Sequence, residues 1–194
     1  MLQDIPPLTL REAGRCVLET ERLMLRRPTL ADVKAIAHLA NDRRIAENTR
    51  RLPHPYLQDH AVEFVRGIAT ERRETVFLIE SNHTPIGMVG IDWREPEMPE
   101  LGYWLGVEYW GQGFATEAAG AVLAWAFDTL DLNRVQAETD TRNTASSRVL
   151  ERLRFVREGT LREDCIVEGE VSDSWVYGLL RREWAPLRSR SAAG

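Results

Sequence analysis

The stretch that decides the fold of this chain is Leu101-Gly102-Tyr103-Trp104-Leu105-Gly106-Val107, closely followed by Trp110-Gly111-Gln112-Gly113-Phe114-Ala115-Thr116. An alanine-rich run to Leu130 follows, so the order predicts a strand, a compact glycine turn and a helix. Glycines let the backbone approach a bound group closely, and the free N–H groups at the positive end of a helix attract anions. The stretch therefore predicts a binding site for a phosphate or pyrophosphate.

Two common nucleotide-binding motifs do not fit this turn. The dinucleotide-binding motif needs a third glycine three positions after the second, where this chain has Thr116. A P-loop needs a Lys-Ser or Lys-Thr pair after its glycines, and none follows Gly113. The lack of repeated strand-helix units further disfavours a Rossmann-like oxidoreductase.

The composition is ordinary for a globular protein, and the length suits one domain, although length alone does not exclude two. A chain of 194 residues with 43% hydrophobic and 28% charged residues can bury a full core. The net charge of -5 argues against nucleic-acid binding, which needs a basic stripe. Two cysteines and four histidines lack disulfide or metal-ligand spacing, so we expect no metal and a cytoplasmic protein. No apolar run of about eighteen residues occurs, so we expect no membrane association.

Strands and helices are predicted in mixed order along the chain. Alternation at Leu23 and Leu25 predicts a strand that ends at Pro28, and Thr29 with Asp32 predicts a capping box for a helix through Ala40. Further helices are predicted at 58–71 and 145–153, and further strands at 75–80, 85–93, 134–141, 155–160 and 174–180. This order predicts an α/β or α+β layered fold, with an N-terminal extension at 1–17, a single domain at 18–187 and a C-terminal tail at 188–194.

The glycine turn resembles motif A of the GNAT superfamily of acyl-CoA-dependent N-acyltransferases, in the form typical of its RimJ/RimL branch. Residues 109–118 fit that form position by position, although most of the superfamily has Gln or Arg in place of Trp110. Residues 143–155 resemble motif B of the same branch, and weaker likeness extends over 18–184. Arg154 replaces the glycine usual in this branch at the end of the motif B helix, so we expect an arginine with positive φ there.

This resemblance implies a mixed, mostly antiparallel sheet of about seven strands with about four flanking helices and splayed central strands. It also implies acetyl-CoA as cosubstrate, with its pantetheine arm paired to a strand edge in the splayed gap. The family's pantetheine positions fall at Leu105, Val107 and Asn143, the last of which could instead hold the loop. Its pyrophosphate positions fall at Gly111, Gln112, Gly113, Phe114, Ala115 and Thr116.

The implied reaction is attack of an amine on a thioester, which needs a base for the amine proton and an acid for the departing thiolate. Glu100 is the predicted base, acting directly or through water, with a purely structural role at the strand edge as the alternative. Many relatives use a tyrosine acid at the position of Leu150, so that role does not carry over. Ser146 is the predicted acid, with a helix cap as its alternative. A backbone N–H near Val107 would polarise the thioester carbonyl.

The sequence constrains the identity of the acceptor less than that of the acyl donor, because loops and not the fold determine which acceptor binds. His54, Tyr56 and Trp93 are predicted to contact it. The N-terminal α-amine of a protein or peptide is the favoured acceptor, and aminoglycosides, polyamines and amino acids are alternatives. A non-catalytic acyl-CoA-binding module is the alternative from another class of protein. A homodimer would be usual for this family, but no interface can be read from the sequence.

Overall fold

The computed structural model describes residues 17–70, 74–92, 98–167 and 169–184. The strands are β1 Leu18–Glu19, β2 Met24–Arg26, β3 Glu74–Ser81, β4 Thr84–Asp92, β5 Glu100–Leu105, β6 Arg134–Asp140, β7 Val156–Val167 and β8 Glu170–Leu180. The helices are α1 Val33–Ala40, α2 Arg43–Ala46, α3 Gln58–Thr70, α4 Phe114–Thr129 and α5 Thr144–Arg152. None of the described helices is long and apolar enough to cross a membrane. The predicted N-terminal extension, apart from residue 17, and the predicted C-terminal tail lie outside the described residues.

The strands form one sheet in the order β1-β2-β3-β4-β5-β6-β8-β7. Every neighbouring pair is antiparallel except β5 and β6, which are parallel. Glu100 and Gln136 are the one residue pair recorded between those two strands in the described chain. The rest of β5 has no partner on that side, which confirms the splayed central strands. The mixed, mostly antiparallel sheet is also confirmed, with eight strands rather than about seven.

Two apolar clusters cover the two faces of the sheet. Along β3, Phe77 and Ile79 belong to the cluster under α4, whereas Leu78 belongs to the cluster under α1 and α3. This alternation follows from the period of two in a strand, which points successive side chains to opposite faces. The sheet is therefore the middle layer of three, and the gap between β5 and β6 opens between the helices of both faces.

The start of α1 follows the predicted capping box. The backbone N–H and the hydroxyl of Thr29 both donate to the Asp32 carboxylate, at 2.7 and 2.9 Å. The chain first forms a 3-10 turn at Leu30–Asp32 and then continues as α1 to Ala40, as predicted.

Some strand ends differ from the prediction, for local reasons. The strand predicted to reach Val107 ends at Leu105, because the Gly106 carbonyl accepts from the Tyr109 N–H at 2.9 Å and the chain winds into a 3-10 turn at Val107–Tyr109. The hairpin of β7 and β8 is longer than predicted. Its pairing register shifts at two places in β7, and such bulges let pairing continue where side-chain alternation is lost.

The C-terminal end of α5 contains the expected arginine with positive φ. Arg154 has a φ of 71°. Its N–H donates to the Glu151 carbonyl at 3.0 Å, and the Phe155 N–H donates to the Leu150 carbonyl at 3.0 Å. These two bonds form a Schellman motif, whose left-handed position favours glycine. The arginine side chain is exposed, so the backbone strain is not offset by burial.

We expect Arg154→Gly to raise the free energy of unfolding by about 1 kcal/mol and to leave activity unchanged, because glycine adopts positive φ without a Cβ penalty. Urea denaturation of both proteins measures the difference. Arg148→Gly is the matched control, since Arg148 is exposed in the middle of the same helix and glycine there should lower the free energy of unfolding by about 1 kcal/mol. A lower stability of Arg154→Gly than of the unmodified protein would contradict the strain argument.

Candidate active site

The glycine turn between β5 and α4 has the backbone that its sequence predicts. Gly111 and Gly113 have φ values of 74° and 83°, a region that glycine adopts without steric cost. A Cβ built on Gly111 would meet nothing within 4 Å, so the turn faces open space there. Gly113 is the N-cap of α4, which leaves the amides of Phe114, Ala115 and Thr116 without intrahelical acceptors.

The donor groups of this turn fit a pyrophosphate. Within the described part of the chain, none of the backbone N–H groups of residues 111–116 donates to another protein group. The Thr116 hydroxyl in the first turn of α4 is buried and has no hydrogen-bond partner there either. Several free N–H groups at the positive end of a helix are the donor set that binds phosphates in proteins. The Gln112 side chain instead donates to the Glu108 carbonyl at 2.9 Å and closes the turn.

The gap between β5 and β6 exposes backbone groups of β5. The Pro99 carbonyl accepts from the Gln136 N–H at 2.9 Å, so it points toward β6. Alternate residues of a strand direct their N–H and C=O groups to the same side. The N–H of Leu101 completes the parallel pairing of Glu100 with Gln136, so the Leu101 carbonyl and both backbone groups of Tyr103 are the ones that face the gap, where an extended ligand could pair with them.

Two predicted pantetheine positions need correction. Val107 lies outside β5, in the 3-10 turn, so it offers no strand edge. The carbonyl of Leu105 accepts from the indole N–H of Trp110 at 2.9 Å, which leaves the N–H of Leu105 as its free pairing group. The chain leaves β5 earlier than the side-chain pattern indicated, so the open strand edge is shifted toward the start of β5.

Ser146 lies in the first turn of α5 and is bound to β5. Its Oγ is 2.9 Å from the hydroxyl of Tyr103. Burial raises the pKa of Tyr103 well above its usual value, so this phenol stays protonated at neutral pH. The side chain that caps the helix is Asn143, whose Oδ1 accepts from the Ser146 N–H at 3.0 Å. The cap of this helix is therefore the Asn143 side chain and not the Ser146 hydroxyl.

Glu100 begins β5, beside the point where β5 and β6 separate. Burial raises the pKa of Glu100 to about 7, and the nearby Glu138 carboxylate contributes to the rise. Arg51 and Arg50 lower this pKa and Asp92 raises it, with smaller effects. A carboxyl group with a pKa near neutrality can both accept and release a proton at physiological pH.

Two consecutive arginines, Arg50 and Arg51, contribute to the electrostatic surroundings of Glu100. They lie in the loop between α2 and α3 and reach opposite halves of the sheet. Arg50 binds the β6-β8-β7 half, and Arg51 binds the half that contains β3 and β4. The partners are Glu138, Asp164 and Ser174 for Arg50, and Glu74 and Asp92 for Arg51. Sequence reasoning missed both arginines, because no local pattern indicates partners so far along the chain.

The three predicted acceptor contacts have different surroundings. Tyr56 is only 5% exposed and packs with the core under α1 and α3, and its N–H donates to the Asn41 Oδ1 at 2.9 Å. This core position does not support the predicted contact of Tyr56 with the acceptor, because almost all of its ring is buried. His54 is exposed, and Trp93 lies outside the described residues. Among the described residues, no group of three or more His, Cys, Asp or Glu side chains could hold a metal ion.

Comparison with known proteins identifies the family. Residues 22–156 match the model described as an acetyltransferase (GNAT) domain. The chain is 30% identical over 174 residues to the uncharacterized N-acetyltransferase p20 of Bacillus licheniformis, covering 87% of this chain and 98% of that protein. It is 30% identical over 88 residues, 45% of each chain, to the [ribosomal protein uS5]-alanine N-acetyltransferase of Escherichia coli (strain K12).

The fold is also that of a solved relative. RimL, a ribosomal L7/L12 alpha-N-protein acetyltransferase whose structure is in complex with coenzyme A, matches with a TM-score of 0.79 at 21% identity, covering 85% of this chain and 98% of that one. The chain thus belongs to the GNAT acetyltransferase family. This membership confirms the GNAT resemblance seen in its two motifs, and RimL has the same fold.

Proposed function

We propose that this enzyme transfers the acetyl group of acetyl-CoA to a primary amine, with the N-terminal α-amine of a protein or peptide as its preferred acceptor. The observation that carries the proposal is the open glycine turn with its free N–H groups, which leads along an unpaired strand edge to Glu100. The relative named for acetylation of an alanine of ribosomal protein uS5 supports an α-amine acceptor.

Two groups of residues would bind different parts of the acyl donor. The backbone of residues 111–116 would hold the pyrophosphate, aided by the positive end of the α4 dipole. The Leu101 carbonyl, the N–H and C=O groups of Tyr103 and the Leu105 N–H would hold the pantetheine arm. Acetyl-CoA supplies a thioester whose carbonyl carbon is open to attack by an amine.

Two side chains would handle the protons of the reaction. As the amine nitrogen bonds to the carbonyl carbon and the carbon-sulfur bond breaks, Glu100 takes the amine proton directly or through water. The Ser146 hydroxyl faces the departing thiolate as a hydrogen-bond or proton donor, and solvent replaces any proton it gives. Tyr103 orients that hydroxyl through its 2.9 Å hydrogen bond. Since a thiolate with a pKa near about 8.5 leaves readily, we expect the base to matter more than the acid.

The identity of the acceptor is tested by measuring thiol release from acetyl-CoA with a matched panel of amines. The panel contains peptides with a free N-terminus, the same peptides with a blocked N-terminus and an internal lysine, a polyamine, an aminoglycoside and an amino acid. We expect the highest kcat/KM for free N-termini, with mass spectrometry placing the acetyl group on the α-nitrogen. A higher kcat/KM for a small amine would overturn the α-amine assignment. Tight coenzyme A binding without turnover of any amine would favour the non-catalytic module.

We expect Ser146→Ala to lower kcat about tenfold, at the weak end of general acid catalysis because the thiolate leaves readily. The free energy of unfolding should change by less than about 0.5 kcal/mol, since Asn143 still caps α5. Steady-state kinetics and urea denaturation measure the two effects. Asn143→Ala is the control for loss of the helix cap and should lower the free energy of unfolding by about 1 kcal/mol. If Ser146→Ala keeps full kcat and loses as much stability as Asn143→Ala, the role of Ser146 is structural.

A further inference from the structure

Arg22 lies far from the glycine turn in the sequence but directly against it in the structure. It belongs to the connection between β1 and β2. Its Nη1 donates to the Gln112 carbonyl at 3.1 Å, and its guanidinium carbon lies 4.5 Å from the centroid of the Phe114 ring. A Cβ built on Gly113 would lie 3.4 Å from its Nη2. One guanidinium group thus touches three successive residues of the turn.

The same guanidinium is paired with an acidic residue in the first turn of α4. Glu117 accepts from the Nε and Nη2 of Arg22 at 2.7 and 2.6 Å, from its backbone N–H at 3.0 Å, and from the Thr20 hydroxyl at 2.6 Å. Burial alone would raise the pKa of Glu117, but the hydrogen bonds from Thr20 and Arg22 outweigh it and hold this pKa below its usual value. Glu117 is therefore a charged carboxylate at the helix end that faces the turn.

An unpaired carboxylate at this place would work against anion binding. The positive end of a helix dipole acts only within the first turn, so Glu117 and a bound phosphate depend on the same favourable field. Like charges at short range repel in a partly buried site, so an uncompensated Glu117 would weaken the binding of a phosphate. Arg22 cancels the Glu117 charge through this ion pair, while its Nη1 donates to the carbonyl of Gln112 in the turn.

We propose that Arg22 is a positioning residue for the acyl donor: it holds residues 112–114 in their anion-binding conformation and cancels the charge of Glu117. Arg22 acts through the turn, and its contacts cross from the edge of the sheet to the start of α4. The inference rests on the proposed binding of the acetyl-CoA pyrophosphate at this turn. It adds to that proposal a residue outside both sequence motifs.

The test compares two acyl donors. S-acetylpantetheine retains the thioester and the pantetheine arm of acetyl-CoA but lacks the pyrophosphate and nucleotide. For Arg22→Met, which keeps side-chain length without charge, we expect the KM for acetyl-CoA to rise at least tenfold while kcat changes less than threefold. The kcat/KM for S-acetylpantetheine should stay within twofold of that of the unmodified enzyme. An equal loss with both donors would overturn the proposal, because a general structural role affects both alike.

A second variant separates the charge of Arg22 from its packing and avoids an unpaired carboxylate that could impair folding. In the double variant Arg22→Met/Glu117→Gln, we expect the KM for acetyl-CoA to recover at least threefold relative to Arg22→Met. A double variant no better than the single one would overturn the charge-cancelling role. Arg66→Met, an exposed arginine on α3, is the control and should change neither donor's kinetics.

Calorimetry with coenzyme A distinguishes failure of this inference from failure of the proposed function. If the unmodified enzyme binds coenzyme A and Arg22→Met binds it equally well, the role of Arg22 is wrong and the proposed function stands. If the unmodified enzyme does not bind coenzyme A at all, the proposed function fails and the role of Arg22 fails with it. Weaker binding by Arg22→Met supports the inference.

Discussion

Replacement of Glu100 by glutamine is expected to lower kcat/KM with a peptide acceptor by at least about 100-fold, because the amide cannot take the amine proton. Burial gives the Glu100 carboxyl a pKa of about 7, so in the unmodified enzyme it is protonated and inactive as a base below that pH. The rate of the unmodified enzyme should therefore fall as pH drops through about 7, beyond the fall that protonation of the amine itself causes. Glu100→Gln should lose this additional pH dependence.

The measurement is a series of kcat/KM values between pH 5.5 and 9, a range of about 1.5 to 2 units on either side of that pKa. Glu151→Gln is the control, since Glu151 is an exposed glutamate on α5, and its pH profile should match that of the unmodified enzyme. Coenzyme A affinity of Glu100→Gln should be unchanged, which separates chemistry from binding. Retention of more than about half of the kcat/KM, with an unaltered pH profile, would show that another group is the base.

Gly113→Glu is expected to weaken coenzyme A binding at least 100-fold. Gly113 is the N-cap of α4, so a carboxylate there lies beside the free N–H groups of the turn. Repulsion between that carboxylate and a phosphate at about 5 Å is worth about 3 kcal/mol at an effective dielectric constant near about 20, which corresponds to more than 100-fold in affinity. Isothermal titration calorimetry with coenzyme A measures the loss.

Gly113→Ala separates charge from backbone strain at the same position. Both variants place a Cβ at a φ of 83°, so both should lose about 1 kcal/mol of stability. A Cβ at this position makes an ordinary contact with Arg22, so alanine should reduce coenzyme A affinity only a few-fold. If Gly113→Glu binds coenzyme A as well as the unmodified protein does, the ligand is not held at this turn.

Features set by neighbouring residues could be predicted from the sequence. The left-handed backbone at Gly111, Gly113 and Arg154 depends on local turn and helix-end chemistry, and the structure contains all three. The capping box at Thr29 is local in the same sense. The order of strands and helices was also predicted, because a period of two or of about 3.6 is visible within one element.

Features that depend on tertiary contacts could not be predicted in this way. Arg22 and Glu117 meet only because the connection between β1 and β2 packs against the start of α4. Tyr56 sits in a polar, proline-broken segment typical of a surface loop, yet its ring fills space between two helices. The early end of β5 has a local cause instead, a 3-10 turn at Val107–Tyr109 that the alternation of side chains did not indicate.

The loop that carries Arg50 and Arg51 has a consequence for how the working pH of this enzyme is set. Both guanidinium groups lower the pKa of Glu100, whereas Glu138 and Asp92 raise it. Loss of either arginine would raise that pKa above about 7 and move the acid limb of activity to higher pH, with the base itself unaltered. With Glu100 as the proposed base, the pH range of acetyl transfer would be adjustable by substitutions of Arg50 and Arg51, which act on its pKa from a separate loop.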